Sequence, residues 1–439
     1  MKKSLIALAA LAAVASAQAD VTIYGNLDPS VVVQKMTTSS GGYTNAISTS
    51  SAMDKSSQLG FKGSEAIGGG MKVIFDLQGD LTLGTGLMGN SNSGNTGSGT
   101  ALVGGNAKAD SSVIAPSADV FNRNAYVGLE TSSGTLKVGR QFTPFHEDQV
   151  NNDAFGMNSG GFLAVMSQIT TTGAGATGTN FGINQASQLS SFGNGNVGVN
   201  SYGSYANGLS FELPAMNGLT LKVFQTLGET ALTSTNANKS LPSSSSGITS
   251  IKAVYDVNPA LKLNAAWQTT RAGVAATTGA ALTTTPSANL TTAENLYINN
   301  AANVTPGQQV FSVAMYGGQY TMGQFKFTLS QASLQQFIAG FDNVGVTHAG
   351  VLYSMSPVVD LGVEYTSVKD KTATASTANI SSVLGRYKLS KTTYVWGLYN
   401  TTGNSGNSVM NGNYSGISTS LATAGTTNSS FSSGISYSF

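Results

Sequence analysis

Apolar and polar residues alternate along most of this chain with a period of two. Val21, Ile23, Gly25 and Leu27 share one face while Thr22, Tyr24, Asn26 and Asp28 share the other, the pattern of a strand that is apolar on one side only. Leu261, Leu263, Ala265 and Trp267 repeat it, as do Phe431, Ile435, Tyr437 and Phe439 at the end. Helical period is almost absent. Sixteen segments carry the alternation, at about 21–33, 55–65, 70–83, 121–131, 134–142, 199–213, 218–228, 248–258, 260–270, 308–319, 323–331, 344–355, 358–369, 379–389, 391–402 and 429–439. The connections alternate in length, with short turns such as Ser132-Ser133 and Ser356-Pro357 and long polar stretches rich in Gly, Ser, Thr and Asn. An even strand count places both termini with the short turns and all eight long loops on the opposite side.

Such strands suit a transmembrane β-barrel, whose closure satisfies every backbone group inside the bilayer and whose polar parity faces a wet lumen. A soluble β-sandwich or solenoid shares the alternation. The aromatic residues favour the barrel, because Tyr387, Trp396, Trp267, Tyr365 and Tyr437 fall near strand ends at outward parity, as an interfacial girdle requires.

Composition narrows the function. Charged residues make up 9% of the 439-residue chain, against roughly a quarter in a soluble domain. With 21 Lys+Arg and 20 Asp+Glu the balance offers nothing to nucleic acid. Zero Cys and two His leave little for a metal site or a thiol nucleophile, so no catalytic residue, metal or cofactor is expected. Residues 1–19 read as a cleaved signal peptide, with Lys2 and Lys3, an apolar run from Ser4 to Ala15, and Ala17-Gln18-Ala19 as the processing site. Losing the two lysines leaves 19 basic against 20 acidic residues, and residues 20–439 form the barrel domain.

The stretches VTIYGNLD (Val21 to Asp28), QLGFKGSEAIGGGMKVIFDLQ (Gln58 to Gln78) and FNRNAYVGLETSSGTLKVGRQFTP (Phe121 to Pro144), with an aromatic-x-Phe terminus, resemble the general porin family of Gram-negative bacteria in its β-proteobacterial form. The resemblance implies an all-β, sixteen-stranded antiparallel outer-membrane barrel with short periplasmic turns and long extracellular loops. It further implies a homotrimer and a third loop folded inward to narrow the pore.

The longest segment without strands, 143–198, fits that loop, and its acids cluster early at Glu147, Asp148 and Asp153. Lys62 and Arg123, the latter matching a wall arginine of the family, are expected to face these acids and complete the constriction. Asn26, Gln58, Lys137, Arg386 and Lys388 are further pore-lining candidates. Gln58 stands where the family usually carries a base and Asn26 where some members carry another, so the basic wall is thin and a slight lean to cations is expected. Arg140 shares parity with Leu136 and Val138 and points outward, which suits a subunit interface where a neighbour's Asp110 or Asp119 could pair with it. Ile435, Tyr437 and Phe439 resemble the family's signal to the outer-membrane insertion machinery. Two G-x-G-x-x-G matches, at 84–89 and 193–198, lack a strand–loop–helix context and read as loop. His146 reads as a lone exposed histidine, and His348 receives no role.

The expected activity is passive diffusion of small hydrophilic solutes and ions through an outer-membrane channel. A substrate-selective porin, for example for sugars, and a surface adhesin or structural barrel are the alternatives.

Overall fold

The computed structural model describes residues 20–37, 41–84, 86–88, 120–156, 162, 165–166, 205–226, 247–271, 309–336, 343–371, 376–406, 408, 410 and 425–439. Its strands are β1 (Asp20–Leu27), β2 (Ser30–Thr37), β3 (Tyr43–Ser50), β4 (Gln58–Gly68), β5 (Met71–Thr82), β6 (Leu87–Met88), β7 (Ala125–Thr131), β8 (Gly134–Phe142), β9 (Tyr205–Glu212) and β10 (Leu219–Thr226). They continue as β11 (Gly247–Asn258), β12 (Leu261–Arg271), β13 (Gln309–Met322), β14 (Phe325–Gln336), β15 (Val344–Ser356), β16 (Val359–Asp370), β17 (Thr377–Lys388), β18 (Thr393–Ser405) and β19 (Thr427–Ser438). One helix, α1 (Pro144–Asn151), follows β8.

Every pairing is antiparallel; β1 pairs with β4 and β5 with β7, the other wall pairs join chain neighbours, and β19 closes the ring on β2 (Ser429↔Lys35 to Gly434↔Ser30) and on β1 (Asn26↔Ser438). Gly25 and Phe439 complete the seam by exchanging both backbone hydrogen bonds. With β1 and β2 counted as one wall strand, β3 and β4 as another, and the two-residue β6 outside the wall, the sixteen-stranded barrel expected from the alternation results. Residues 1–19, with the expected signal peptide, lie outside the described residues, as does most of 157–204.

The first two wall strands are broken, which the alternation did not predict. Pro29 has no N–H to donate to a ladder, and pairing lapses there: β1 pairs with β4 as far as Asn26↔Gln58, and β2 resumes with β3 at Ser30↔Ser50. Residues 51–57 are thereby left outside both ladders.

The loop lengths also differ from expectation. Only 38–42, 337–343 and 371–376 separate β2 from β3, β14 from β15, and β16 from β17, so three of the eight expected long loops are short caps on extended hairpins. At the upper ends of these strands the outward positions, such as Gln331, Ser333 and Gln335, are polar. Alternation fades where no bilayer demands an apolar side.

Outward positions such as Ile23, Val127, Leu329, Val363 and Val383 are exposed, as are Trp267, Tyr365, Tyr387 and Tyr437. Trp396 corrects the expected girdle. It is buried on the inner side, and its indole N–H donates to Asp28 Oδ1 at 2.9 Å. Its inward neighbours Leu384 and Leu398 are apolar as well, so polarity alone does not distinguish the two faces there.

Candidate functional site: the narrowed lumen

Helix α1 starts where Thr143 caps it, its side chain accepting from the His146 N–H, and Pro144 occupies the first turn at no cost in hydrogen bonding. Glu147 places an acid near the positive end of the helix. The helix lies inside the barrel against the inner faces of β10 to β13. Phe145 N donates to Ser250 Oγ at 3.0 Å, Asn264 Nδ2 donates to Asp148 Oδ2 at 2.8 Å, and the Gln319 amide donates to Asn151 O. Glu147 forms two ion pairs of 2.5 Å each, with Lys222 and Lys252.

The chain then turns along β14 to β17. Asp153 Oδ1 accepts from Phe155 N at 2.8 Å and Gly156 N at 3.0 Å, folding the tip upon itself. Glu364 Oε1 accepts from Ala154 N at 2.7 Å, Lys326 Nζ donates to Asp153 O at 3.3 Å, and Arg386 Nη2 donates to Phe155 O at 2.8 Å. Three inward glycines make this approach possible. A Cβ on Gly317 would collide with Asn152 Oδ1, one on Gly350 would stand 2.7 Å from Ala154 Cβ, and one on Gly362 would stand 2.5 Å from the Phe155 ring. Phe145, Phe162, Val165 and Met166 complete the docking by packing on inward Met315, Leu334, Val346 and Ile380.

Three titrating groups on α1 respond to this burial. His146 is pushed down to about 4 by burial, with Arg123 adding repulsion. Asp148 is pushed up to about 6 by burial, which its hydrogen bond from Asn264 only partly offsets. Burial also opposes ionisation of Glu147, yet Lys222 and Lys252 outweigh it and hold the carboxyl below its usual range.

The candidate constriction residues are distributed as follows. Glu147, Asp148 and Asp153 all sit on the infolded segment, but Glu147 takes its cations from β10 and β11, while Asp148 and Asp153 are fully buried. Arg123 is buried too, paired with Asp80 at 2.7 Å and bonded to Gln78 Oε1 at 3.1 Å. Its guanidinium lies 5.5 Å from the ring of Phe142, which stacks on His146. That histidine is buried where an exposed one was expected. Lys62 and Lys137 lie over the rings of Tyr24 and Tyr126, at 4.9 and 4.8 Å, and neither has a carboxylate within 4.0 Å among the described residues.

The lining candidates differ in accessibility. Asn26 is buried, its Oδ1 accepting from Ser436 and Ser438, while Gln58 is half-buried between Asn26 and Asp80 in the ladders. Arg386 grips Asp54 at 2.5 Å and Lys388 pairs with Asp360 at 2.8 Å. Arg140 donates from Nε to its own chain's Asn122 O at 2.6 Å, and Asp110 and Asp119 lie outside the described residues. Ile435, Tyr437 and Phe439 are exposed on the outer face. His348 is fully buried between Phe162 and Thr366. Lys222, Lys252, Lys326, Asp54 and Glu364 were not singled out in the sequence, although their inward parity on recognised strands was a signal available for all but Asp54.

Among known proteins, the major outer membrane protein P.IB of Neisseria gonorrhoeae is 31% identical over 172 residues, an alignment covering 39% of this chain and 40% of the relative. The chain thus aligns with less than half the length of the curated relatives it matches. Among solved structures, an anion-selective porin from Comamonas acidovorans superposes with a TM-score of 0.64 at 18% identity, covering 96% of this chain and 100% of the other. OmpT of Vibrio cholerae in its trimer form superposes at 0.54 with 11% identity, covering 96% and 99%; both likenesses concern the fold. The Gram-negative porin family model matches residues 4–408, so the chain belongs to the Gram-negative porin family, whose barrels reside in the outer membrane.

Proposed function

We propose that this protein is a general-diffusion porin, passing small hydrophilic solutes and ions down their gradients without covalent chemistry. The observation that carries the reading is the docked segment 143–156: it lies inside a closed barrel and brings charge into the lumen while bonded to β10, β11, β12, β14, β16 and β17. A narrowed, wet, charge-lined lumen discriminates by size, desolvation and field. Two lysines bracket Glu147, and Lys62 and Lys137 rest on tyrosine rings with no carboxylate within 4.0 Å among the described residues, which supports a weak preference for anions. Liposome swelling with sugars of graded size and bilayer conductance test the reading. Size-graded permeation and stepwise currents are expected, and a sealed barrel would refute it.

A homotrimer is proposed on the outward Arg140 and on the likeness in fold to OmpT of Vibrio cholerae in its trimer form. Sizing in mild detergent should show three chain masses. The exposed terminal Ile435, Tyr437 and Phe439 are proposed as the assembly signal, so deletion of Phe439 should lower folded yield in the outer membrane without blocking export, which follows processing of 1–19.

A further inference from the structure

We propose that residues 51–57 form a second constricting segment and that Lys55, which they carry into the lumen, is a determinant of ion selectivity; the inference rests on the channel reading above. Where the first two wall strands part at Pro29, these residues close on themselves, with Ser57 N donating to Ser51 O at 2.8 Å. Buried Asp28 organises them. Its Oδ2 accepts from Asp54 N at 2.8 Å and Lys55 N at 3.0 Å, and its own N–H donates to Ser57 Oγ at 2.8 Å. Met53 packs with Trp396, Ala154 and Phe155.

The segment points inward, because its partners occupy inward positions on β17 and β18. Asp54 binds Arg386 at 2.5 Å and accepts from Tyr394 Oη at 2.6 Å. The same guanidinium donates to Phe155 O, so one arginine fastens both the second segment and the tip of the docked loop.

Four charges meet here: Asp28, Asp54, Arg386 and Lys55. Asp28 and Asp54 have no exposed surface. Lys55 is half-buried, and its ammonium lies 5.3 Å from the Tyr394 ring with no carboxylate within 4.0 Å among the described residues. A ring face holds an ammonium without cancelling its charge. Lys55 is therefore the member of the cluster that lumen water and permeating ions meet. Asp28, Asp54 and Arg386 are positioning residues.

Reversal potentials in a potassium chloride gradient across planar bilayers test this. Lys55→Gln should lower the chloride-to-potassium permeability ratio about 25-fold at low salt, because one unit charge about 4 Å from the path in water favours chloride and disfavours potassium by about fivefold each. Lys55→Arg should restore the parent value and Lys55→Glu should fall below Lys55→Gln. The positioning role is read in D54N/R386Q, a change that conserves net charge. With the barrel still protease-resistant, its reversal potential should move toward that of Lys55→Gln and its current should become noisier. A Lys55→Gln channel with parental conductance and parental reversal potential overturns the selectivity role, and a D54N/R386Q channel indistinguishable from the parent overturns the positioning role. A parent that carries no current refutes the channel reading instead.

Discussion

The inner wall from β10 to β17 and the inner wall from β4 to β8 share one parity rule and carry different chemistry. Beneath the docked segment, inward positions are Met315, Leu334, Val346 and Ile380, with glycines where the loop touches backbone and with charges locked to the loop. On the uncovered side, Lys62 is exposed and Lys137 half-buried, and both rest on tyrosines. One wall behaves as a protein core and the other as a channel lining. An inward position is therefore apolar only where the loop covers it, and the covered polar ones, such as Ser250, Asn264 and Glu364, are bonded to the loop.

The sharpest way to break this contrast is to release the loop. Glu147→Gln leaves buried Lys222 and neighbouring Lys252 facing each other without an anion, which should weaken docking by about 3 kcal/mol. Hydrogen exchange of the α1 amides should accelerate accordingly, and selectivity should shift to anions. Gly362→Val comes next, since its side chain must displace Phe155, at about 1–3 kcal/mol for overpacking. Conductance should rise. Gly385→Ala, whose Cβ would meet only Leu361 at 3.8 Å, should leave it unchanged.

Acidity sharpens the comparison further. His146, with its folded value lowered to about 4, favours docking fully above pH 6.5, and that contribution is lost as pH falls toward 4. Asp148, raised to about 6, acts in the opposite sense, favouring docking when protonated and opposing it as pH rises through 4 to 6. The two largely offset each other in the parent. Asp148→Asn should tighten docking at pH 7 and expose the histidine dependence, on the order of 1 kcal/mol per pH unit between 6 and 4, read from exchange rates against pH. The smallest structural effect belongs to the uncovered wall. Lys137→Gln should change barrel stability by less than about 0.5 kcal/mol while lowering the anion preference in the reversal potential.

Much of the barrel was legible because lipid on one side and water on the other impose a two-residue period. Sixteen wall strands follow from it, and so does the inward parity of Lys62, Lys137, Arg386 and Lys388. Trp396 was misplaced because Leu384 and Leu398 around it are inward and apolar, filling space beside the loop tip. The break at Pro29 carried a visible signal in proline itself, but nothing local revealed that residues 51–57 would fold inward, since their anchors Asp28, Arg386 and Trp396 are remote in sequence. The acids of 143–198 were found by their clustering. Their partners were not, because Glu147 meets Lys222 and Lys252 across 75 and 105 residues. The expected slight lean to cations counted those acids as free, whereas Glu147 is paired with two lysines.

The face of α1 bearing Glu147, Val150 and Asn151, which is not fully buried, is expected to border the conducting path. The chain has no cysteine, so Val150→Cys creates a single reactive site. Adding a charged, membrane-impermeant thiol reagent during single-channel recording should reduce the current in discrete steps. An undiminished current from a channel shown by mass to be fully modified would contradict the claim.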